Sequence, residues 1–269
     1  MTALNSLPPA AKALIRNPIL VAVFGLLGAA QLPQLFLQPS QPLVAAAVSL
    51  ATTALFVLVV PFFQGGVLGM ADEALAGRTD AGTFVSSGKA NYVSLLLAYL
   101  AIFAINFGFG FAAVFAAIVG GVGLHAGGGE PGLAILGVVA LVALLFVLAY
   151  LVFLFTVQFY AHAIVLSGSD LVSGFKRSVA LVRRNVLSVL GYSLFLLVGS
   201  SVLGGVGSVA SILLSPQPQP VGGALPEPST PMLAGAAAVY VLALALLGAF
   251  YATYSVAFYR SIEDRRATL

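Results

Sequence analysis

Six apolar runs, each close to or above the ~20 residues a helix needs to cross hydrocarbon, dominate this chain of 269 residues. They cover about 18–37, 43–69, 92–119, 133–160, 186–214 and 232–259. A segment in lipid must satisfy its own backbone hydrogen bonds, which leaves helices and closed barrels as the spanning structures. Barrel strands run to about 9–11 residues and alternate polar with apolar positions; these runs do neither. The expected fold is all-α: a polytopic membrane protein, residues 1–269 forming one domain of six transmembrane helices. Composition agrees. Hydrophobic residues make up 61% and charged ones 7%, against about 25% charged in soluble domains.

Charge placement sets the expected topology. Lys12 and Arg16 precede the first run; Arg78 and Lys89 lie between the second and third; Lys176, Arg177, Arg183 and Arg184 lie between the fourth and fifth; Arg260, Arg265 and Arg266 follow the sixth. These are all 11 basic residues. The alternate links, 38–42, 120–132 and 215–231, hold none. Basic loops stay in the cytoplasm, so both termini are expected there, in a multi-pass protein of the cell membrane. A cleaved leader is the alternative for the first run, which has a basic flank and the small residues Gly28-Ala29-Ala30. The apolar character continues through Leu32, Leu35, Phe36 and Leu37, which favours a retained span. The alternate links differ in kind: 215–231 is rich in proline, as an extended loop requires, and 120–132 is rich in glycine.

Two basic links resemble each other. Lys89-Ala90-Asn91-Tyr92-Val93-Ser94-Leu95-Leu96 and Arg183-Arg184-Asn185-Val186-Leu187-Ser188-Val189-Leu190 share the pattern basic-x-Asn-x-x-Ser-x-Leu. Both lead into an apolar run, which suggests a parallel internal repeat about an axis along the membrane normal; chance similarity among common residues is the alternative. Between Asp170 and Arg184, Leu171, Phe175, Val179 and Val182 share one helical face, and Lys176, Arg177, Arg183 and Arg184 lie opposite. Ser169 or Asp170 can cap its start. The segment reads as an amphipathic helix in the cytoplasmic interface, its basic face toward anionic lipid headgroups; charges that merely hold the loop inside are the plainer reading. A weaker interfacial helix is expected from Pro9 to Arg16, ending at Asn17-Pro18.

The runs Pro61-Phe62-Phe63-Gln64-Gly65-Gly66, Ala71-Asp72-Glu73-Ala74-Leu75-Ala76-Gly77-Arg78 and Phe175-Lys176-Arg177-Ser178-Val179 resemble a broad group of uncharacterised six-helix membrane proteins. That group includes the membrane domain of some bacterial glycerophosphodiester phosphodiesterases, and the alanine- and glycine-rich style is similar to haloarchaeal, hence archaeal, members. The resemblance implies a fold and no activity, because in the phosphodiesterases catalysis belongs to a separate soluble domain.

Little catalytic chemistry is legible. The chain has no cysteine, which excludes disulfides, thiolate catalysis and cysteine-bound metals. His125 and His162 lack a metal-ligand spacing. Residues 82–90 approach a phosphate-binding loop, but the glycine spacing is too long, Ala90 stands where a hydroxyl should be, and no strand precedes it. No acid or base falls clearly within a span. Neutral polar residues do: Gln31, Gln34, Gln64, Asn106, Thr156 and Gln158. They suit helix association; a solute pathway along Gln64, Asn106 and Gln158 is the alternative. Gly65 and Gly69, and Ser201, Gly204, Gly205 and Ser208, are expected at close helix contacts. The favoured function is a non-enzymatic scaffold, partner-binding or lipid-organising protein without a cofactor. Its expected partners are membrane lipids, anionic ones included, and a membrane protein or a second copy; nucleic acid is not among them. A transporter for a small or lipid-like solute is the alternative.

Overall fold

The computed structural model describes residues 2–36, 42–125, 133–214 and 229–264. Helices α1 (Thr2–Asn5) and α2 (Leu7–Arg16) lead into α3 (Ile19–Phe36), followed by α4 (Pro42–Ala76), α5 (Ala81–His125), α6 (Leu133–Val157), α7 (Tyr160–Ser167), α8 (Leu171–Arg184), α9 (Val186–Leu214) and α10 (Thr230–Asp264). No strand occurs among the described residues. Five helices are long and apolar enough to cross a membrane, and a sixth span results if α2 and α3, which meet at 83°, are taken together. This is the architecture of a multi-pass membrane protein.

The apolar runs understate the helices. The second and third were expected to stop at 69 and start at 92; α4 continues to Ala76 and α5 begins at Ala81. At 1.5 Å per residue their 35 and 45 residues extend about 50 and 70 Å, well past a hydrocarbon core of about 30 Å. Both helices are therefore longer than a hydrocarbon core, and they pack together as one hairpin. Its faces meet closely: a Cβ on Gly66 would lie 2.5 Å from the Phe84 ring and 2.7 Å from the Phe84 carbonyl oxygen, one on Gly65 3.0 Å from Leu95, and one on Gly69 would collide with Ser87. The expectation of close packing holds at Gly65 and Gly69. It fails at Gly204 and Gly205, which have nothing within 4 Å of a built Cβ; there α9 and α10 diverge and leave an apolar groove of about 580 Å³ between Gly205, Val209, Met232 and Gly235.

The fourth apolar run is helical to Val157, and a two-residue turn at Gln158 and Phe159 joins α6 to α7, the two together making one candidate span, Gly137–Ser167. Ser178, fully buried on α8, bridges the turn: its hydroxyl donates to the Thr156 carbonyl at 2.8 Å and accepts from the Phe159 N–H at 3.0 Å. Gly174 lets α8 approach α7, since a Cβ there would sit 2.9 Å from Ile164. Gly168 closes α7 in the left-handed region at φ 59°, a conformation glycine adopts without steric cost.

Burial is lopsided. The compact clusters lie at the end of the molecule that carries the basic links. One centres on Phe159, Tyr192, Tyr254, Phe258 and Tyr259; another on Leu95, Ala98, Ala161, Ile164 and Val256; a third on Leu20, Met70, Ala74 and Ala249. Tyr192 stacks on Phe258 with centroids 4.4 Å apart. Helix α10 is the hub, packing against α2, α3, α4 and α9. Toward the other end the helices expose large apolar residues, among them Phe107, Phe111 and Phe115 on α5 and Leu141, Leu144 and Leu148 on α6.

Candidate functional site at the basic end

Three asparagines mark this end. In each, the side-chain Nδ2 donates to the carbonyl four residues back: Asn17 to Ala13 at 2.8 Å, Asn91 to Ser87 at 3.0 Å and Asn185 to Leu181 at 3.0 Å. Asn17 and Asn185 cap α2 and α8, where the chain turns into α3 and α9; Asn91 sits within continuous α5. Asn17 does more, reaching the Gly77 carbonyl at 3.2 Å and accepting from the Thr79 N–H at 2.9 Å. The start of α3 is thereby tied to the α4–α5 link.

Helix α8 forms where expected. The Asp170 side chain accepts from the Ser173 N–H at 2.7 Å. That backbone hydrogen bond holds its carboxyl below the usual range, aided by the Ser173 hydroxyl and, less, by Lys176. Gly174, Ser178, Leu181 and Val182 form the buried face. Lys176, Arg183 and Arg184 are exposed. Arg177 is not with them. It forms an ion pair with Glu263 on α10, and the Glu263 side chain is only 14% exposed. Glu263 also accepts from Ser167, which bonds Tyr259, and from Arg260 at 3.4 Å; Arg260 makes a two-pronged pair with Asp72 at 2.7 and 2.8 Å. This network of Asp72, Arg177, Arg260 and Glu263 joins α4, α8 and α10, and nothing in the spacing of those residues announced it.

The remaining acids of this end are also engaged. Glu73 accepts from the hydroxyls of Thr79 at 2.7 Å and Thr83 at 2.5 Å, and Asp80 from the Thr83 N–H at 3.0 Å. By contrast, Lys12, Arg16, Arg78, Lys89, Lys176, Arg183 and Arg184 are exposed and form no ion pair among the described residues. Only Asp264 is an exposed acid without such a bond there. Arg265 and Arg266 lie outside the described residues.

The intramembrane polar residues have separate partners. Asn106 accepts from the Tyr150 hydroxyl at 2.6 Å, Gln64 from Tyr160 at 3.4 Å, and Gln158 from Ser193 at 3.2 Å while donating to Phe155 at 2.8 Å. No hydrogen bond links the three, and none lines the groove between α9 and α10. Gln31 likewise accepts from Tyr240 at 2.8 Å. Residues 82–90, the near-miss phosphate loop, are part of α5. His162 is buried, its Nε2 3.0 Å from the Ser255 hydroxyl and its ring stacked on Tyr259. Among the described residues no three His, Asp or Glu side chains are grouped to hold a metal ion.

No curated protein and no solved structure matches the chain. The family match connects it neither to glycerophosphodiester phosphodiesterases nor to haloarchaeal proteins. What does match is a family model covering residues 1–262, and the chain belongs to that family, described as a domain of unknown function, DUF7847.

Proposed function

We propose that this is a non-enzymatic protein of the cell membrane, with both termini cytoplasmic, whose basic end engages anionic lipid headgroups and organises lipid or a membrane partner there. The observation that carries this reading is the exposure of cations at that end. Asp72 and Glu263 are tied into ion pairs and Glu73, Asp80 and Asp170 into hydrogen bonds, while seven basic side chains are exposed and form no ion pair among the described residues. Near an anionic leaflet each contributes about 1 kcal/mol of attraction. The amphipathic form of α8 and the 83° bend between α2 and α3 suit two helices lying along the interface. The test is K176Q/R183Q/R184Q in the full-length protein, with retained phosphatidylglycerol quantified after purification. Retention should fall several-fold; unchanged retention overturns the proposal. R177Q is the control, because that guanidinium is bound to Glu263 and should leave lipid retention near wild type.

A second reading, a transporter for a small or lipid-like solute, draws on the neutral polar residues Gln64, Asn106 and Gln158. Each of them bonds a separate partner, which favours a structural role. Reconstituted vesicles that accumulate no solute beyond lipid-only controls would count against it.

A further inference from the structure

We infer that the basic end carries three equivalent lipid-headgroup stations, one at the start of each outgoing span, rather than the single basic face of α8. This rests on the headgroup reading above and adds two sites to it: Lys12 with Arg16 on α2, and Lys89 on α5 with Arg78 in the α4–α5 link.

The shared register of two starts, and the same kinds of residue at the third, carry the inference. An offset of 94 positions aligns Lys89 with Arg183, Asn91 with Asn185, Val93 with Leu187 and Leu95 with Val189. The environments agree position by position. Both asparagines bond the carbonyl four residues back. Leu95 and Val189 are both fully buried. Lys89 and Arg183 are both exposed, and Val93 and Leu187 are 66% and 85% exposed. The first start has the same kinds of residue in a different order, its exposed apolar residue coming before the asparagine: exposed Lys12 and Arg16, Ile15 at 83% exposure, the Asn17 bond to Ala13, and buried Leu20.

The pairing of groups names the ligand. Lys89 and Val93 are four residues apart on continuous α5, hence on one face one turn apart. Lys12 and Ile15 are three apart on α2. Arg183 ends α8 and Leu187 begins α9, on either side of the bend at Asn185. Each station thus has an exposed cation and an exposed large apolar side chain within four residues of each other. A soluble phosphate has no use for the apolar member. A phospholipid uses both, its phosphate meeting the cation and its glycerol and first methylenes covering the apolar residue; burying that surface contributes about 25 cal/mol per Å². Long basic side chains at span ends also reach readily to the headgroup layer. The stations lie on three different elements, so the protein would gather several anionic lipids at once.

The experiment counts bound lipid on the full-length protein by native mass spectrometry, titrating phosphatidylglycerol against phosphatidylcholine. Three variants each remove one station: K12Q/R16Q, R78Q/K89Q and K176Q/R183Q/R184Q. Each should lower phosphatidylglycerol occupancy by about a third, with additive loss in combination, unchanged phosphatidylcholine binding, and an unchanged melting temperature. If only the α8 variant loses lipid, the three-station inference is overturned and the single-face proposal stands. If none loses lipid, both fall. Displacement of the lipid by millimolar inorganic phosphate would overturn the assignment to phospholipid.

Discussion

At the scale of single residues, the tightest constraint is steric. Gly66 faces Phe84 at distances no real Cβ tolerates, while Gly108 on α5 has open space around it. G66A should therefore destabilise the protein by about 1–3 kcal/mol, the usual cost of overpacking, and G108A should not. Thermal unfolding of both variants in one detergent decides it; equal midpoints would contradict the packing of the α4–α5 hairpin. Asp170 offers a pH-dependent counterpart. Its carboxyl titrates below its ordinary value because the ionised form accepts the Ser173 N–H. A depressed folded pKa means the cap stabilises α8 above the unfolded value of about 3.9 and loses that effect as pH falls through the folded one. Hydrogen exchange at the Ser173 amide, corrected for intrinsic rate, should show protection at pH 6 that persists through the ordinary carboxylate range and is lost only at lower pH. In D170A the protection should be weak throughout.

At the scale of elements, α8 has two unlike faces, and the sequence shows only one. Its capped start, its extent and its basic side chains follow from helical periodicity. So do α3, α9 and most of α10, because uninterrupted apolar runs report the hydrocarbon-spanning part of a helix directly. The rest was hidden for physical reasons. Asp72, Glu73 and Lys89 read as link residues because hydropathy senses lipid, not helicity; α4 and α5 continue beyond their apolar runs because their small residues interlock. The turn at Gln158–Phe159 leaves no trace in an apolar run, since Ser178, 19 positions away, satisfies it. Arg177 reads like its basic neighbours until its partner, 86 positions away, is known. Asn17 escaped the Asn91 and Asn185 pattern because its basic neighbour, Arg16, stands one position before it rather than two and Leu20 occupies the place of the serine. The inward face has its own consequence. S178A strips the Phe159 N–H of its acceptor and the Thr156 carbonyl of a donor, an expected loss of about 1–3 kcal/mol. R177Q and E263Q should each destabilise, and the double variant should cost less than the sum of the two. Additive losses would show that the pair does not couple α8 to α10.

At the scale of the whole molecule, the packing bears on whether five helices cross the membrane or six. The doubtful span is α3, which reaches spanning length only together with α2 across the 83° bend. Two contacts place its start. Asn17 bonds Gly77 and Thr79 in the α4–α5 link, and the Tyr254 hydroxyl near the end of α10 donates to the Ala3 carbonyl at 3.2 Å. The amino-terminal helices thus sit at the same end as the end of α4. Because α4 spans, the chain must reach the far end before α4 begins, and α3 is the segment that takes it there. That arrangement supports the proposed topology of six crossings with both termini on one side. The absence of cysteine makes this directly measurable with single-cysteine variants. With an impermeant maleimide on intact cells, G128C in the glycine-rich link should label at once. K12C and S173C, both exposed at the basic end, should label only after permeabilisation. If K12C instead labels with G128C, α3 does not cross and five helices span the membrane. If S173C labels on intact cells, the basic end faces outward, and its cations meet no cytoplasmic leaflet.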